Sequence, residues 1–477
     1  MSTAYASNNN YVDKDDRFKH SKWLSFMSKR LRLARNLLKE TGFFIVTIDH
    51  NELFTLGLLM DEIFGEVNRL GVVTVVHKPE GRQFANFFST SNEFMLVYAK
   101  NISNAKFNTV ILDAELQSRF DNEDEKGKFR LKNFIRLTDG KYSLRENSPE
   151  GFYPIYVSKD LKRFSLKKLN GFTAVYPITD RGVERTWKTL GDTFIEKVAE
   201  GNVVAKRENN KVIVYEKLRE DQVIKTHWIK KEYHAYHYGT KLLETILGSK
   251  KFDFPKSIHL VSDILRLTSK PDSVILDFFA GSGTTGHAVL GLNKEDGGTR
   301  QFILCTNNEN NNGNGSSGIA EGVCYPRIKK VIDGYKDPSG KAVVGLGGNL
   351  RYYMGELVGN VKTDNDKRVL TSRCGEMLCL AESTFDEVLN KKGAFAIYEN
   401  SDQMTGIIYD EDAISDFKKE AKKRKKPFVV YVFSYDHTYN EEDFEDLENL
   451  RTVKPIPEVI LNVYRKIYKE LYKPRHL

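Results

Sequence analysis

The chain has 477 residues, 40% of them hydrophobic, with 73 Lys and Arg against 65 Asp and Glu and a net charge of +8. That is enough for about three domains with real cores. No run approaches the ~18 apolar residues of a membrane span, and the basic balance suits a polyanionic partner without identifying one.

Residues 1–20 are polar and charged, which predicts no secretory leader. The four cysteines (305, 324, 374 and 379) show no paired metal spacing, since Cys374 and Cys379 alone form C-x4-C. The expectation is a cytoplasmic protein with reduced thiols, no metal and no membrane partner.

Residues 1–16 look loose. Ser21 can cap a helix on which Trp23, Leu24, Met27, Leu31, Ala34 and Leu38 recur at helical spacing, ended by Gly42. Residues 43–48 predict a buried strand, 52–64 a helix closed by Gly65, and 72–76 and 94–98 two more strands around a Gly-, Asn- and Ser-rich loop. Apolar strands alternating with helices predict an α/β domain with a parallel-rich sheet.

From about 101 to 227 charged and aromatic residues alternate. Residues 203–217 read as a hairpin turning at Asn209-Asn210. Residues 156–172 interleave Lys159, Lys162, Arg163, Lys167 and Lys168 with Phe164 and Phe172, a pattern that fits either a nucleic-acid surface or a solvated helix face. This region reads as an inserted domain.

The α/β texture returns at Tyr238, with a helix from Ser257 to Leu267 that carries Leu260, Ile264 and Leu267 on one face. Val274-Ile275-Leu276 then reads as a buried strand ending in Asp277. The turn Gly281-Ser282-Gly283-Thr284-Thr285-Gly286 follows, with a helix from His287. Residues 301–306 predict a strand, 307–318 a polar loop and 325–335 a basic helix. The tail predicts a small α/β module, with strands at 395–398, 405–409 and 428–433, a helix at 412–426 and a last helix from Pro457.

Gly281, Gly283 and Gly286 spell G-x-G-x-x-G, where glycines admit a ligand to the backbone and the helix start offers free N–H groups. A phosphate loop needs Gly-Lys-Ser/Thr after the glycines, and His287 stands there instead. A dinucleotide site wants an acid about 20 residues on, and Glu309 leaves NAD open. Asp277 discriminates: a carboxylate before the loop repels a diphosphate and attracts an ammonium. S-adenosylmethionine fits best, with Asp277 on its amino-acid end, Glu309 on the ribose hydroxyls and Phe278 and Phe279 walling the adenosine.

The run D-F-F-A-G-S-G-T-T-G-H-A-V from Asp277 resembles motif I of amino-methyltransferases acting on DNA, and Phe252-Asp253-Phe254-Pro255-Lys256-Ser257 resembles their motif X. The order, with an insertion before motifs X and I, is that of the β group. Three stretches resemble the modification subunit of type III restriction systems and related adenine methyltransferases: K-W-L-S-F-M-S-K-R-L-R-L-A-R-N-L-L-K-E-T-G-F-F-I-V-T-I-D, N-E-F-M-L-V-Y-A-K-N and G-V-E-R-T-W.

The resemblance implies a Rossmann-like methyltransferase sheet divided as 1–104 (catalytic half), 105–235 (target-recognition insertion), 236–340 (cofactor half) and 341–477 (C-terminal α/β module). It implies transfer of a methyl group from S-adenosylmethionine to adenine N6 in duplex DNA, by direct transfer after base flipping. Asp277, Phe278, Phe279, Gly281, Ser282, Gly283, Thr284, Thr285, Phe254, Lys256, Ser257 and Glu309 would bind the cofactor. Lys162, Arg163, Lys167, Lys168 and Arg185 would bind DNA. The alternatives are a catalytically silent DNA- or cofactor-binding subunit and, more distantly, an NAD-dependent oxidoreductase.

One departure stands out. The family carries Asp-Pro-Pro-Tyr upstream of the helix at Lys22, and this sequence contains no Pro-Pro. The expectation is a truncated gene product, one half of a split enzyme or a dedicated subunit. Candidate partners are duplex DNA, a restriction (Res) subunit, a polypeptide bearing Asp-Pro-Pro-Tyr and a second copy of the chain.

Overall fold

The computed structural model describes residues 16–81, 87–108, 118–138, 140–219, 224–308, 318–355, 363–435, 438–456 and 458–471. Helix α1 (Lys19–Leu37), strand β1 (Phe43–Ile48) and helix α2 (Leu53–Phe64) follow one another along the chain. The chain forms two compact units, one from Glu40–Phe54 and Glu66–Leu350, the other from Asn10–Lys39, Thr55–Gly65 and Arg351–Leu477. Among the described residues no helix is long and apolar enough to cross a membrane.

The first unit holds a sheet of order β1-β3-β2-β11, with β2 (Arg69–Val76), β3 (Asn92–Ala99) and β11 (His227–Ile229). The parallel-rich expectation fails here. β3 runs antiparallel to both β1 and β2, and only the β2–β11 pair is parallel. The described residues of the connection between β2 and β3 form no helix to carry the chain back, and β3 returns beside β2 in the opposite sense.

Residues between β3 and β11 build a separate core. A four-stranded antiparallel sheet of order β4-β5-β10-β9 contains β4 (Asn122–Asp124), β5 (Gly127–Asn133), β9 (Val203–Glu208) and β10 (Lys211–Arg219). The β9–β10 hairpin turns at Asn209 and Asn210, both with positive φ (47° and 62°), the primed geometry that suits twisted strands. β6 (Ile155–Ser158), β7 (Phe164–Ser165) and β8 (Phe172–Val175) make a second antiparallel sheet, so the helix-face reading of 156–172 is wrong. Helix α3 (Gly191–Ala199) inserts Phe194 among Phe134, Ile155, Val157 and Trp187.

After β11 come α4 (Leu242–Leu247), α5 (Ile258–Thr268), β12 (Val274–Asp277), α6 (Thr284–Asp296), β13 (Gln301–Leu304) and α7 (Tyr325–Asp333). β12 and β13 pair in parallel. α5 is apolar on two sides. Leu260, Ile264 and Leu267 pack on Val73, Val75, Met95 and Val97, while Leu265 packs with Ala288, Val289 and Leu292 of α6. One helix thus ties the first sheet to the β12–β13 layer. A short hairpin of β14 (Gly334–Lys336) and β15 (Ala342–Val344) follows.

The second unit carries α1, most of α2, helices α8 (Asp364–Arg373), α9 (Gly375–Glu382), α10 (Ile414–Ala421) and α11 (Glu458–Leu471), and a sheet of order β16-β17-β18-β19-β20. Its strands are β16 (Asp386–Lys391), β17 (Phe395–Glu399), β18 (Met404–Ile408), β19 (Phe428–Phe433) and β20 (Leu450–Ile456). β18, β19 and β20 are parallel, and every residue of β18 and β19 is buried, as two covered faces require. The helix expected over 412–426 stops at Ala421, because 422–426 offer no apolar residue to bury. α1 starts at Lys19 without a side-chain cap from Ser21. Asp16 instead takes the Phe18 N–H and the Lys22 ammonium.

Candidate functional site

β12 delivers Asp277 to the top of the strand, where Cys305 N–H donates to the Asp277 carbonyl and Ala280 N–H to the Cys305 carbonyl. The Asp277 carboxylate accepts from Thr285 Oγ1 at 2.6 Å and from Phe279 N at 3.1 Å. Burial pushes its pKa above the usual carboxylate value, against the pull of those two donors. No cation pairs with it among the described residues.

The glycines divide their work. Gly281 and Gly283 take left-handed φ of 50° and 78°, which turn the chain from strand into helix. Gly286 is about packing: a Cβ there would lie 2.8 Å from Leu304 Cδ1 and 2.9 Å from Ile328 Cδ1. α6 begins at Thr284 rather than at His287, so the second half of the motif is already its first turn. Its N-cap is Gly283, which has no side chain to accept the first N–H groups.

Ser282 and Thr284 are buried behind the loop, where the fully buried Arg327 of α7 donates from Nη1 to Ser282 Oγ at 3.0 Å and to Thr284 Oγ1 at 2.9 Å. Arg327 Nη2 lies 3.4 Å from His287 Nδ1. Arginine only donates, so this nitrogen is an acceptor and the imidazole is neutral. Burial, then Arg327, pushes the His287 pKa down to about 3.

The motif X stretch lies against this loop. The Phe252 ring meets the face of Gly281, where a Cβ would sit 3.1 Å from it. Gly239 sits in a π-helical turn, Tyr236–Lys241, so close to this stretch that a Cβ would fall 2.3 Å from the Pro255 carbonyl. Phe254 is exposed at a φ of 59°, a strained conformation for a bulky residue of the kind that collects at functional sites. The Phe278 and Phe279 rings are tilted at 48° with 5.1 Å between centroids, and Phe278 lies 6.1 Å from Phe44 of β1.

The structure thus brings Asp277, Phe278, Phe279, Gly281, Ser282, Gly283, Thr284 and Thr285 together, with Phe254 on the adjoining stretch. Lys256 is ion-paired with the buried Glu93 of β3, and the buried Ser257 hydroxyl donates to the Glu232 carbonyl. Both therefore brace the motif X stretch. Glu309 lies outside the described residues.

Of the basic residues, Lys162, Lys167 and Lys168 are exposed in the turns joining β6, β7 and β8. Arg163 rests 5.5 Å from the Phe172 ring centroid. Arg185 is half-buried and its guanidinium reaches the Arg136 and Thr138 carbonyls at 3.4 Å each.

Sequence reasoning missed Arg327, His287, Glu93 and Gly239 as parts of the site. A signal for Arg327 exists: Cys324, Arg327, Ile328 and Val331 recur at helical spacing, which puts the arginine on the apolar face of α7.

The site can hold a ligand with a cationic group at Asp277 and a flat apolar body along Phe278 and Phe279. The family model described as DNA methylase matches residues 1–311. The type II methyltransferase M.KpnI of Klebsiella pneumoniae is 34% identical over 306 residues, 64% of this chain and 71% of that protein. The EcoPI Mod subunit of a type III restriction–modification enzyme from Escherichia phage P1 is 35% identical over 305 residues, 61% of this chain and 46% of that protein. The chain therefore spans less than half the length of that Mod subunit. Among solved structures, the M1.HpyAVI–SAM complex aligns over 66% of this chain and 85% of its own, at 12% identity and a TM-score of 0.30.

Proposed function

The chain belongs to the DNA methylase family, α/β methyltransferases that use S-adenosylmethionine, and on that premise we propose that it takes part in transferring a methyl group to adenine N6 in duplex DNA within a restriction–modification system. The observation that carries the reading is Asp277, a half-buried carboxylate without a cationic partner among the described residues, at the mouth of a glycine turn. Such a carboxylate suits the donor's ammonium and disfavours a diphosphate.

S-adenosylmethionine supplies an electrophilic methyl group on its sulfonium. This chain's residues bind and orient it: Asp277 at the ammonium, Phe278, Phe279 and Phe254 along the adenosine, and Gly281 leaving room for close approach. The ribose role of Glu309 belongs to the same reading. The four thiols are each held above their usual pKa by burial, which argues against a covalent cysteine route and for direct transfer.

The separate core built between β3 and β11 supports its reading as the recognition insertion. There Lys162, Lys167, Lys168 and Arg163 would meet phosphates, and side chains nearby would read base edges. Among the described residues β1 pairs only with β3 and β12 only with β13, so each keeps an open edge in the first unit. The sequence contains no Asp-Pro-Pro-Tyr. A polypeptide segment carrying that motif, as a strand on these edges, would accept the amine hydrogens and stack the flipped base. A restriction subunit is the further partner of this reading.

The test is methyl incorporation. DNA incubated with labelled donor, this chain and an Asp-Pro-Pro-Tyr-bearing polypeptide should yield N6-methyladenine on hydrolysis. Label in N4-methylcytosine, or no label with the polypeptide present, contradicts the reading.

A further inference from the structure

Arg327 is the largest fully enclosed side chain among the described residues. Its contacts are the Ser282 carbonyl at 3.3 Å, the Ser282 and Thr284 hydroxyls and the neutral His287, and its Nε has no hydrogen-bond partner among the described residues. No carboxylate is among those partners. A buried, unpaired guanidinium is costly, and a leucine or methionine would suit the apolar face of α7 without that cost. The charge therefore calls for a counterpart.

Asp277 is the complementary case, a half-buried carboxylate served by one hydroxyl and one N–H. The first turn of α6 stands between the two charges. Thr284 gives its oxygen to the guanidinium and the next residue, Thr285, gives its proton to the carboxylate. The same turn ends in N–H groups that its glycine N-cap leaves uncapped, and a helix N-terminus favours an anion. A buried cation and a half-buried carboxylate on either side of one helix start fit a ligand that carries both charges itself.

We propose that Arg327 is a positioning residue for the methyl donor: acting through Ser282 and Thr284, it fixes the glycine loop and biases the start of α6 toward the donor's carboxylate, while Asp277 takes the ammonium. This rests on the S-adenosylmethionine reading above and adds a determinant of donor specificity. Arg327 does not touch the donor, since Ser282 and Thr284 lie between.

The full chain is titrated calorimetrically with S-adenosylmethionine and with its decarboxylated form, which keeps sulfonium and ammonium and lacks the carboxylate. The wild type should prefer the carboxylated donor by roughly tenfold or more. Arg327→Met should weaken S-adenosylmethionine by roughly tenfold and leave the decarboxylated form within about threefold, abolishing the preference. Arg327→Lys should recover part of it.

A merely structural arginine would weaken both ligands in the same proportion, and that result overturns the proposal. So does a wild type without preference, which decides the matter even if Arg327→Met fails to fold by circular dichroism. Binding of neither ligand by the wild type removes the donor reading and the proposal with it.

Discussion

The Thr285 hydroxyl donates to Asp277 Oδ2 at 2.6 Å, joining the end of β12 to the first turn of α6 across the glycine loop. The bond orients the carboxylate, but burial dominates and holds its pKa above the ordinary value of 3.8. Protonation removes the charge that would take an ammonium. Donor affinity should therefore fall as pH drops through this raised pKa, earlier than for an exposed aspartate. The stability effect has the opposite sign. The fold binds this proton more tightly than the unfolded chain does, so from this group alone ligand-free stability rises as pH falls through the same window. Titrations and melting curves over a pH series should show the two trends diverge in the wild type and flatten in Asp277→Asn.

His287 gives a second pH signature. Its folded pKa of about 3 lies below the ordinary value of 6.5, so the unfolded chain takes up the proton first. Stability from this residue is complete above about pH 6.5 and is lost as pH falls toward 3. His287→Gln should reduce the slope of melting temperature against pH in that interval relative to wild type. An unchanged slope refutes the assignment.

Lys256 pairs with Glu93 across 163 residues of sequence. Glu93 is buried, so Lys256→Met should destabilise the fold by about 3 kcal/mol, most of it from leaving Glu93 unpaired. The double variant Lys256→Met with Glu93→Gln should recover much of that loss. Chemical denaturation of the four proteins of the cycle measures the coupling, and additive losses would mean that the pair is not formed.

The exposed lysines of the β6–β7–β8 turns are assigned to phosphates. Each of Lys162→Ala, Lys167→Ala and Lys168→Ala should weaken duplex binding regardless of sequence. Each should also reduce the slope of log affinity against log salt by about 0.9 for every phosphate that is no longer neutralised. Arg185, whose guanidinium reaches two carbonyls, should instead lower stability when replaced. Slopes identical to wild type in all three lysine variants would place the DNA surface elsewhere.

What the sequence disclosed follows physical range. The strand, Asp277, the left-handed glycines and the β9–β10 turn are local, and their residue types dictate their geometry. Pairing direction is not local: β3 looked like another parallel strand because apolar residues mark burial, not sense. The ion pair of Lys256 was not legible because its partner, Glu93, is remote in sequence. Arg327 stood among Lys329 and Lys330 as one more basic residue, and only the packing of α7 beneath the glycine loop separates it from them.

Asp277 is the anchor on which methyl-donor binding turns. The direct measurement is calorimetric titration of the full chain and its Asp277→Asn variant with S-adenosylhomocysteine, which keeps the ammonium and lacks the reactive methyl. Asparagine preserves the shape: its Oδ1 can still accept from Phe279 N, while its Nδ2 can donate to Thr285 Oγ1. The expected result is saturable binding to wild type and a loss of roughly tenfold or more in the variant, with the fold retained. No binding to the wild type, or equal affinity in the two proteins, would contradict it.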